Sequence, residues 1–190
     1  MKQPVYLVRH GQSEWNVLRL TQGQTHAPRL TALGRLQAGC AAELVAADLP
    51  AGRQPRLLSS DLLRAFETAA VVGFRLGVRP VADVRLREQH LGSLQGRGYD
   101  ETWAAAEDHD WSDPTLPVAG GESLQEVHDR MAGVLASLSP AEVTILISHG
   151  DAIRAAVACL LGQAPNEAPW VEVANGSVAR WDGVSLRWLG

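Results

Sequence analysis

The 190-residue chain predicts an α/β fold, a three-layer α/β/α sandwich around a mostly parallel central sheet. Three observations predict it. Short β-rich runs occur at residues 5–8, 56–58 and 143–147, each too short for a buried helix. Each run is followed by helix-like periodicity, and alternating strands and helices cover a parallel sheet on both faces. Finally, all three runs end in chemically loaded residues, which places them at strand carboxyl ends, where such folds build their sites.

The elements follow in order. After the first strand and a polar loop, Thr31 reads as an N-cap, and Leu33, Leu36, Cys40, Leu44 and Ala47 read as the apolar stripe of a helix. After the second, Asp61 is expected to cap a helix whose buried face carries Leu62, Phe66, Ala69, Val72 and Leu76. Ser123 with Glu126 forms a capping box ahead of Leu124, Val127, Met131, Val134 and Leu138. The third strand follows, then a helix over residues 151–161. From Trp170 onward the tail alternates in short pieces broken by Asn175-Gly176 and Asp182-Gly183, which predicts edge strands or hairpins. The stretch over residues 92–121 reads as an excursion over the sheet and not as a linker, so residues 1–190 are expected to form one domain. A chain of this length has a radius of about 16 Å and room for a sizeable core.

Composition narrows the function. With 46% hydrophobic and 20% charged residues, disorder and fibrous architectures are excluded. Seventeen Lys and Arg against twenty-one Asp and Glu give a net charge of −4, which argues against a nucleic-acid-binding face. Lys2 is the sole lysine, and nothing functional is drawn from that. Cys40 and Cys159 lie in predicted helices without a CxxC partner or a His at ligand spacing, and read as reduced core thiols of a cytoplasmic protein. Neither a signal peptide nor a membrane-spanning run is apparent, so no membrane partner is expected.

The strand ends carry Arg9-His10-Gly11, Ser59-Ser60-Asp61 with Arg64, and Ser148-His149-Gly150. Two guanidinium groups present planar forks that match phosphate or carboxylate oxygens and keep their charge at any working pH. Imidazoles serve as metal ligands, general bases or nucleophiles that accept a phosphoryl group. Arginines that already neutralise a phosphate would repel a divalent cation, and no metal-ligand spacing is present, so neither a metal nor another cofactor is expected.

The stretch LVRHGQSEWN at residues 7–16 resembles the signature of the histidine phosphatase superfamily, whose best known members are the cofactor-dependent phosphoglycerate mutases. LTALGRLQA at 30–38, SSDLLRAFETA at 59–69, LREQHLGSLQG at 86–96, GGES at 120–123 and LISHGDAIR at 146–154 resemble further family motifs, in family order and over most of the chain. The resemblance implies a phosphoglycerate mutase-like fold. It also implies that His10 is the nucleophile that becomes phosphohistidine, that Arg9, Arg64 and His149 grip the phosphoryl oxygens, and that Glu88 is the general acid. Asn16 would add a contact in the phosphate pocket, the Gln22-Gly23 segment would pass close to the substrate, and Gly11 would permit the tight turn that aims the imidazole.

The chain also departs from the pattern. Gln24-Thr25-His26 stands where many relatives carry an acidic residue, Arg29 lies between Pro28 and Leu30, and Leu94-Gln95 replaces a common Trp-Glu pair. His26 and His90 read either as pocket-lining or as solvent-open loop residues, and His109 and His128 as helix-surface residues. The tryptophans read as core and sheet-packing groups, with Trp15 and Trp103 as candidate walls of a cleft. The expected function is a metal-independent phosphomonoesterase acting on a small soluble phosphate ester. A phosphoglycerate mutase-type phosphomutase and a noncatalytic phosphate-binding module are the alternatives. The phosphatase branch is favoured because the pocket-covering excursion at about residues 89–122 is short and acidic, with Arg97 as its firm positive charge. The tail strands offer an edge for a homodimer.

Overall fold

The computed structural model describes residues 3–167 and 171–190. Among these, six strands form one sheet: β1 (Val5–Arg9), β2 (Arg56–Ser59), β3 (Pro80–Ala82), β4 (Thr144–Ser148), β5 (Val178–Trp181) and β6 (Leu186–Leu189). Their spatial order is β3-β2-β4-β1-β5-β6. The first four run parallel, and β5 and β6 are antiparallel additions at one side. The expected mostly parallel sheet is thus present. Strand β3, whose three residues include Pro80, was not legible as a run.

Period-2 alternation divides each central strand between two cores. Tyr6, Val8, Leu57, Ile145 and Ile147 face one side, where α2 (Ala32–Asp48) and α3 (Leu63–Leu76) contribute Ala41, Ala42, Val45, Ala65, Ala69 and Val72. Leu7, Leu58 and Leu146 face the other, against Met131 and Val134 of α5 (Leu124–Ala136) and Ala152, Ile153 and Ala156 of α6 (Gly150–Leu161). Two short helices complete the set, α1 (Glu14–Val17) and, within the excursion, α4 (Tyr99–Glu107). No helix among the described residues is long and apolar enough to cross a membrane.

Several expectations are corrected. Thr31 does cap α2, accepting from the Gly34 N–H at 3.0 Å, but the helix is rotated relative to the expected stripe. Its buried face is Gly34, Ala38, Ala41, Ala42 and Val45, while Leu36 is 68% exposed and Cys40 lies on the surface. Small residues win because the helix lies flush on the loop after β1: a Cβ on Gly34 would stand 2.0 Å from the Gln12 carbonyl oxygen. Asp61 does not cap α3, whose N-cap is Leu62. Its carboxylate instead accepts from Arg87 Nε at 2.7 Å. On α3, Phe66 lies partly outside and the buried face takes Arg64 and Thr68. The Ser123–Glu126 capping box is present.

In the tail, residues 171–175 are not a strand, while Asn175 and Gly176 turn and Asp182-Gly183 connects the β5–β6 hairpin. Trp170 lies outside the described residues. No described tryptophan is fully buried, and Trp103, on α4, is well exposed. Cys159 is half-buried with its thiol pushed up to about 11 by burial, and His128 is more enclosed than a surface residue.

Candidate active site

Strand register brings the two histidines together. In the parallel β1–β4 pair Arg9 aligns with Ser148, and β2 aligns Ser59 with Ile147, so the residues after all three strands emerge side by side. The ladders continue one step further: the His10 N–H donates to the Ser148 carbonyl and the Ser60 N–H to the Ile147 carbonyl, both at 3.0 Å. The His10 and His149 ring centroids end 5.0 Å apart, edge to face.

Local bonding assigns the His10 tautomer. His10 Nδ1 lies 2.7 Å from the Gly11 carbonyl oxygen, which only accepts, so Nδ1 carries the proton and Nε2 keeps its lone pair. His149 Nε2 lies 2.9 Å from Ser60 Oγ, which already accepts from the Leu62 N–H at 3.3 Å. The Ser60 hydroxyl can donate to Nε2 or accept from it, and Nδ1 is the ring nitrogen left without a hydrogen-bond partner among the described residues. Both imidazoles are held well below their ordinary pKa, first by burial and then by the Arg64 and Arg9 charges, so both are neutral at physiological pH.

Arg64, from the first turn of α3, is 1% exposed. It donates to the Gly23 carbonyl at 2.7 Å and the Thr25 carbonyl at 2.9 Å, which locks the segment after Gln22 over the strand ends. Burial lowers its pKa to about 10, leaving it a cation at neutral pH. Gly23 adopts φ +47°, a conformation that favours glycine, and a Cβ there would also displace the Gln95 side chain, whose Oε1 would lie 2.2 Å away. Arg9 donates to the Val173 carbonyl. Among the described residues, the Nε atoms of Arg9 and Arg64 and Nδ1 of His149 are buried with no hydrogen-bond partner.

Glu88 follows the short helical turn at Val84–Leu86. Its Oε1 accepts from the N–H groups of Gln89 (3.0 Å), Asp151 (3.1 Å) and Ala152 (3.1 Å), capping the amino end of α6. Oε2 receives only the longer Asp151 contact at 3.3 Å and faces Gly150, where a Cβ would lie 3.7 Å from it and 3.9 Å from the Arg9 guanidinium carbon. The residue keeps some exposed surface, but its carboxyl group is enclosed by protein. Burial, then the Asp151 charge, raise its pKa against the opposing N–H bonds and Arg64.

The expected set is therefore convergent at His10, Arg9, Arg64, Glu88 and His149. Asn16 and Gln22 lie beside it in bracing roles. Asn16 Oδ1 accepts from the Ser13 N–H at 2.9 Å in a capping box for α1, and Gln22 Oε1 accepts from Ser13 Oγ at 2.8 Å. Gly11 has no positive φ; a Cβ there would sit 2.1 Å from the Gly34 carbonyl oxygen, so close helix approach and not turn geometry requires it. His26 is exposed, Arg29 pairs with Glu67 at 3.0 Å away from the pocket, and His90 turns toward Gln95.

Sequence reasoning missed Tyr99, whose hydroxyl lies 3.5 Å from Asn16 Nδ2 and within electrostatic reach of Arg9 and Arg64. It also missed Asn175, which donates to the His10 carbonyl at 3.1 Å from a dipeptide that reads only as a turn. Among the described residues, no group of three or more His, Cys, Asp or Glu is placed to hold a metal ion.

The probable phosphoglycerate mutase GpmB of Serratia proteamaculans is 34% identical over 194 residues, covering 97% of this chain and 87% of that protein. The structure of a mycobacterial glucosyl-3-phosphoglycerate phosphatase complexed with VO3 superposes with a TM-score of 0.83 at 36% identity, over 99% of this chain and 97% of that one. A structure described as mycobacterial hydrolase 1 gives 0.80 at 35% identity, over 100% and 97% of the two chains. The model of the histidine phosphatase superfamily (branch 1) matches residues 5–188, and the chain belongs to that superfamily.

Proposed function

We propose that the protein is a metal-independent phosphomonoesterase that hydrolyses a small phosphate ester through a phosphohistidine on His10. The observation that carries this reading is a neutral, buried imidazole with Nδ1–H committed to the Gly11 carbonyl and a free Nε2, set beside Arg9, Arg64 and His149. A buried donor without a partner costs about 1–3 kcal/mol, and the oxygens of a bound phosphoryl group would supply acceptors for the unpartnered Nε–H groups of Arg9 and Arg64.

In the first step the Nε2 lone pair forms the N–P bond as the ester P–O bond breaks. Its electrons pass to the leaving oxygen, which takes the proton of Glu88. That proton belongs on Oε2, because Oε1 is already occupied by three N–H donors. The Gly11 carbonyl steadies the charge that develops on the ring. In the second step a water attacks phosphorus and gives a proton to Glu88, and the N–P electrons return to Nε2, releasing phosphate. Charge spread over the equatorial oxygens makes positioning and cationic clamping the main contribution.

The name of the Serratia relative favours a phosphomutase as the second reading. The covering segment weighs against it. In residues 89–119 Glu101 pairs with the segment's one arginine, Arg97, at 3.0 Å and Asp100 with Arg19 at 3.6 Å, which leaves the charges of Glu107, Asp108, Asp110 and Asp113. An acidic cover repels the second phosphate that a bisphosphorylated intermediate requires. The test is incubation with a panel of metabolite phosphates, with and without chelator, and separately with 3-phosphoglycerate plus catalytic 2,3-bisphosphoglycerate. Chelator-insensitive phosphate release is expected; rapid formation of 2-phosphoglycerate with little free phosphate would establish the mutase instead.

A further inference from the structure

Arg130 lies on α5, outside the set of residues that converge on His10, and its side chain is only 16% exposed. Its guanidinium donates to three backbone carbonyls of the segment that carries Glu88. Nη1 reaches the carbonyls of Arg85 at 2.8 Å and Arg87 at 2.7 Å, and Nη2 reaches the carbonyl of Glu88 itself at 3.0 Å. The fork is held from behind by Glu122, which accepts from Nε at 2.8 Å and from Nη2 at 3.0 Å.

Glu122 does more than neutralise the arginine. Its Oε2 accepts from the His90 N–H at 2.8 Å and from Gln24 Nε2 at 3.2 Å, and its carbonyl accepts from Gln89 Nε2 at 2.9 Å. Gln24 Nε2 also donates to the Glu88 carbonyl at 3.0 Å, so the loop that locks Arg64 is tied to the same backbone. Burial pushes the Glu122 carboxyl up, but Arg130 and these donors outweigh it and keep the group ionised. A paired, half-buried carboxylate and a planar five-donor fork constitute a rigid brace.

From this juxtaposition we infer that the Arg130–Glu122 pair is the positioning device for the acid: it fixes the backbone of residues 85–90 so that the Glu88 carboxyl group meets the amino end of α6 with Oε2 turned to the leaving oxygen. The inference rests on the phosphatase reading for its kinetic consequence, but its structural consequence is independent of it. The Asp151 and Ala152 N–H groups belong to the first turn of α6, have no intrahelical acceptor, and are protected by the Glu88 carboxyl group. The Ile153 N–H donates to the His149 carbonyl at 2.9 Å within the helix and serves as the internal reference.

The experiment compares wild type, R130M and R130K by amide hydrogen exchange, and by kcat/KM on phenyl phosphate and p-nitrophenyl phosphate. Exchange at Asp151 and Ala152 is expected to accelerate in both variants while Ile153 stays protected. Turnover of phenyl phosphate, whose leaving group needs the proton, should fall about 10- to 100-fold, as loss of general-acid delivery does. Turnover of p-nitrophenyl phosphate should fall less than about fivefold, because that leaving group departs without a proton. Lysine keeps the charge but lacks the planar fork, so R130K should resemble R130M.

Unchanged protection of Asp151 and Ala152, an equal loss on both esters, or full recovery in R130K would overturn the positioning role. If R130M does not fold, R130K carries the comparison. If the wild type hydrolyses neither ester, the phosphatase reading fails on that result, and the exchange data alone decide the role of Arg130.

Discussion

Burial acts on His10 and Glu88 with opposite consequences for charge, because it removes the cationic form of one and the anionic form of the other. His10 is driven down by burial and by Arg64 and Arg9, while Glu88 is driven up by burial and by Asp151. The proposed reaction asks for a lone pair on His10 and a proton on Glu88, and burial in one pocket favours both. The same shifts determine stability. A carboxyl group whose folded pKa is raised contributes stability that is present below its unfolded value and lost as pH rises through the folded one. The depressed histidines behave in the opposite direction, adding stability above their usual 6.5 that is lost as pH falls. The substitution Glu88→Gln keeps an acceptor for the Gln89, Asp151 and Ala152 N–H groups and removes the buried charge. Its thermal midpoint should exceed that of wild type at pH 8, with the difference shrinking toward pH 4. A Glu88→Gln protein less stable than wild type by the same margin at both values would refute the burial argument.

At the level of elements, legibility depended on whether the signal was local. The β1, β2 and β4 runs, the Thr31 cap and the Ser123–Glu126 box are carried by adjacent residues and were readable within a residue or so. Of the candidate set, Arg9, His10, Arg64 and His149 were readable because each lies at a strand end or in the helix turn after it, where parallel register does the gathering, whereas Glu88, beyond the Val84–Leu86 turn, was marked only by the family resemblance. The buried face of α2 was not, because its orientation is set by the contact of Gly34 with the Gln12 carbonyl across the fold, and the larger leucines misled the periodicity. Arg130 and Tyr99 were equally hidden, since an arginine or tyrosine on a polar helix carries no mark of the backbone it will meet. The contrast can be measured. Gly34→Ala should cost about 1–3 kcal/mol, as overpacking does. Leu36→Gln, on the exposed side, should change stability by no more than about 0.5 kcal/mol. Urea midpoints for the two proteins check both values, and a larger loss in Leu36→Gln than in Gly34→Ala would restore the leucine face as the buried one.

For the whole molecule, the sheet places the ends of β1, β2 and β4 side by side, helices pack on both faces, and the segment after Glu88 is tied to the loop after α1 through the Gln24 N–H, which donates to Gln95 Oε1 at 2.6 Å. Chemistry by phosphoryl transfer to His10 is the claim on which the rest depends, and its two steps use Glu88 differently. In Glu88→Gln the first step on p-nitrophenyl phosphate needs no acid, whereas hydrolysis of the intermediate lacks its base. Rapid mixing of Glu88→Gln with p-nitrophenyl phosphate in the presence of chelator, followed by alkaline quench and intact-mass analysis, tests the claim most directly. The expected result is a burst of one nitrophenolate per protein, then slow turnover, with one acid-labile phosphoryl group located on His10 and none in Glu88→Gln carrying His10→Ala as well. Linear release with no labelled histidine, or an undiminished burst in that double variant, would contradict it.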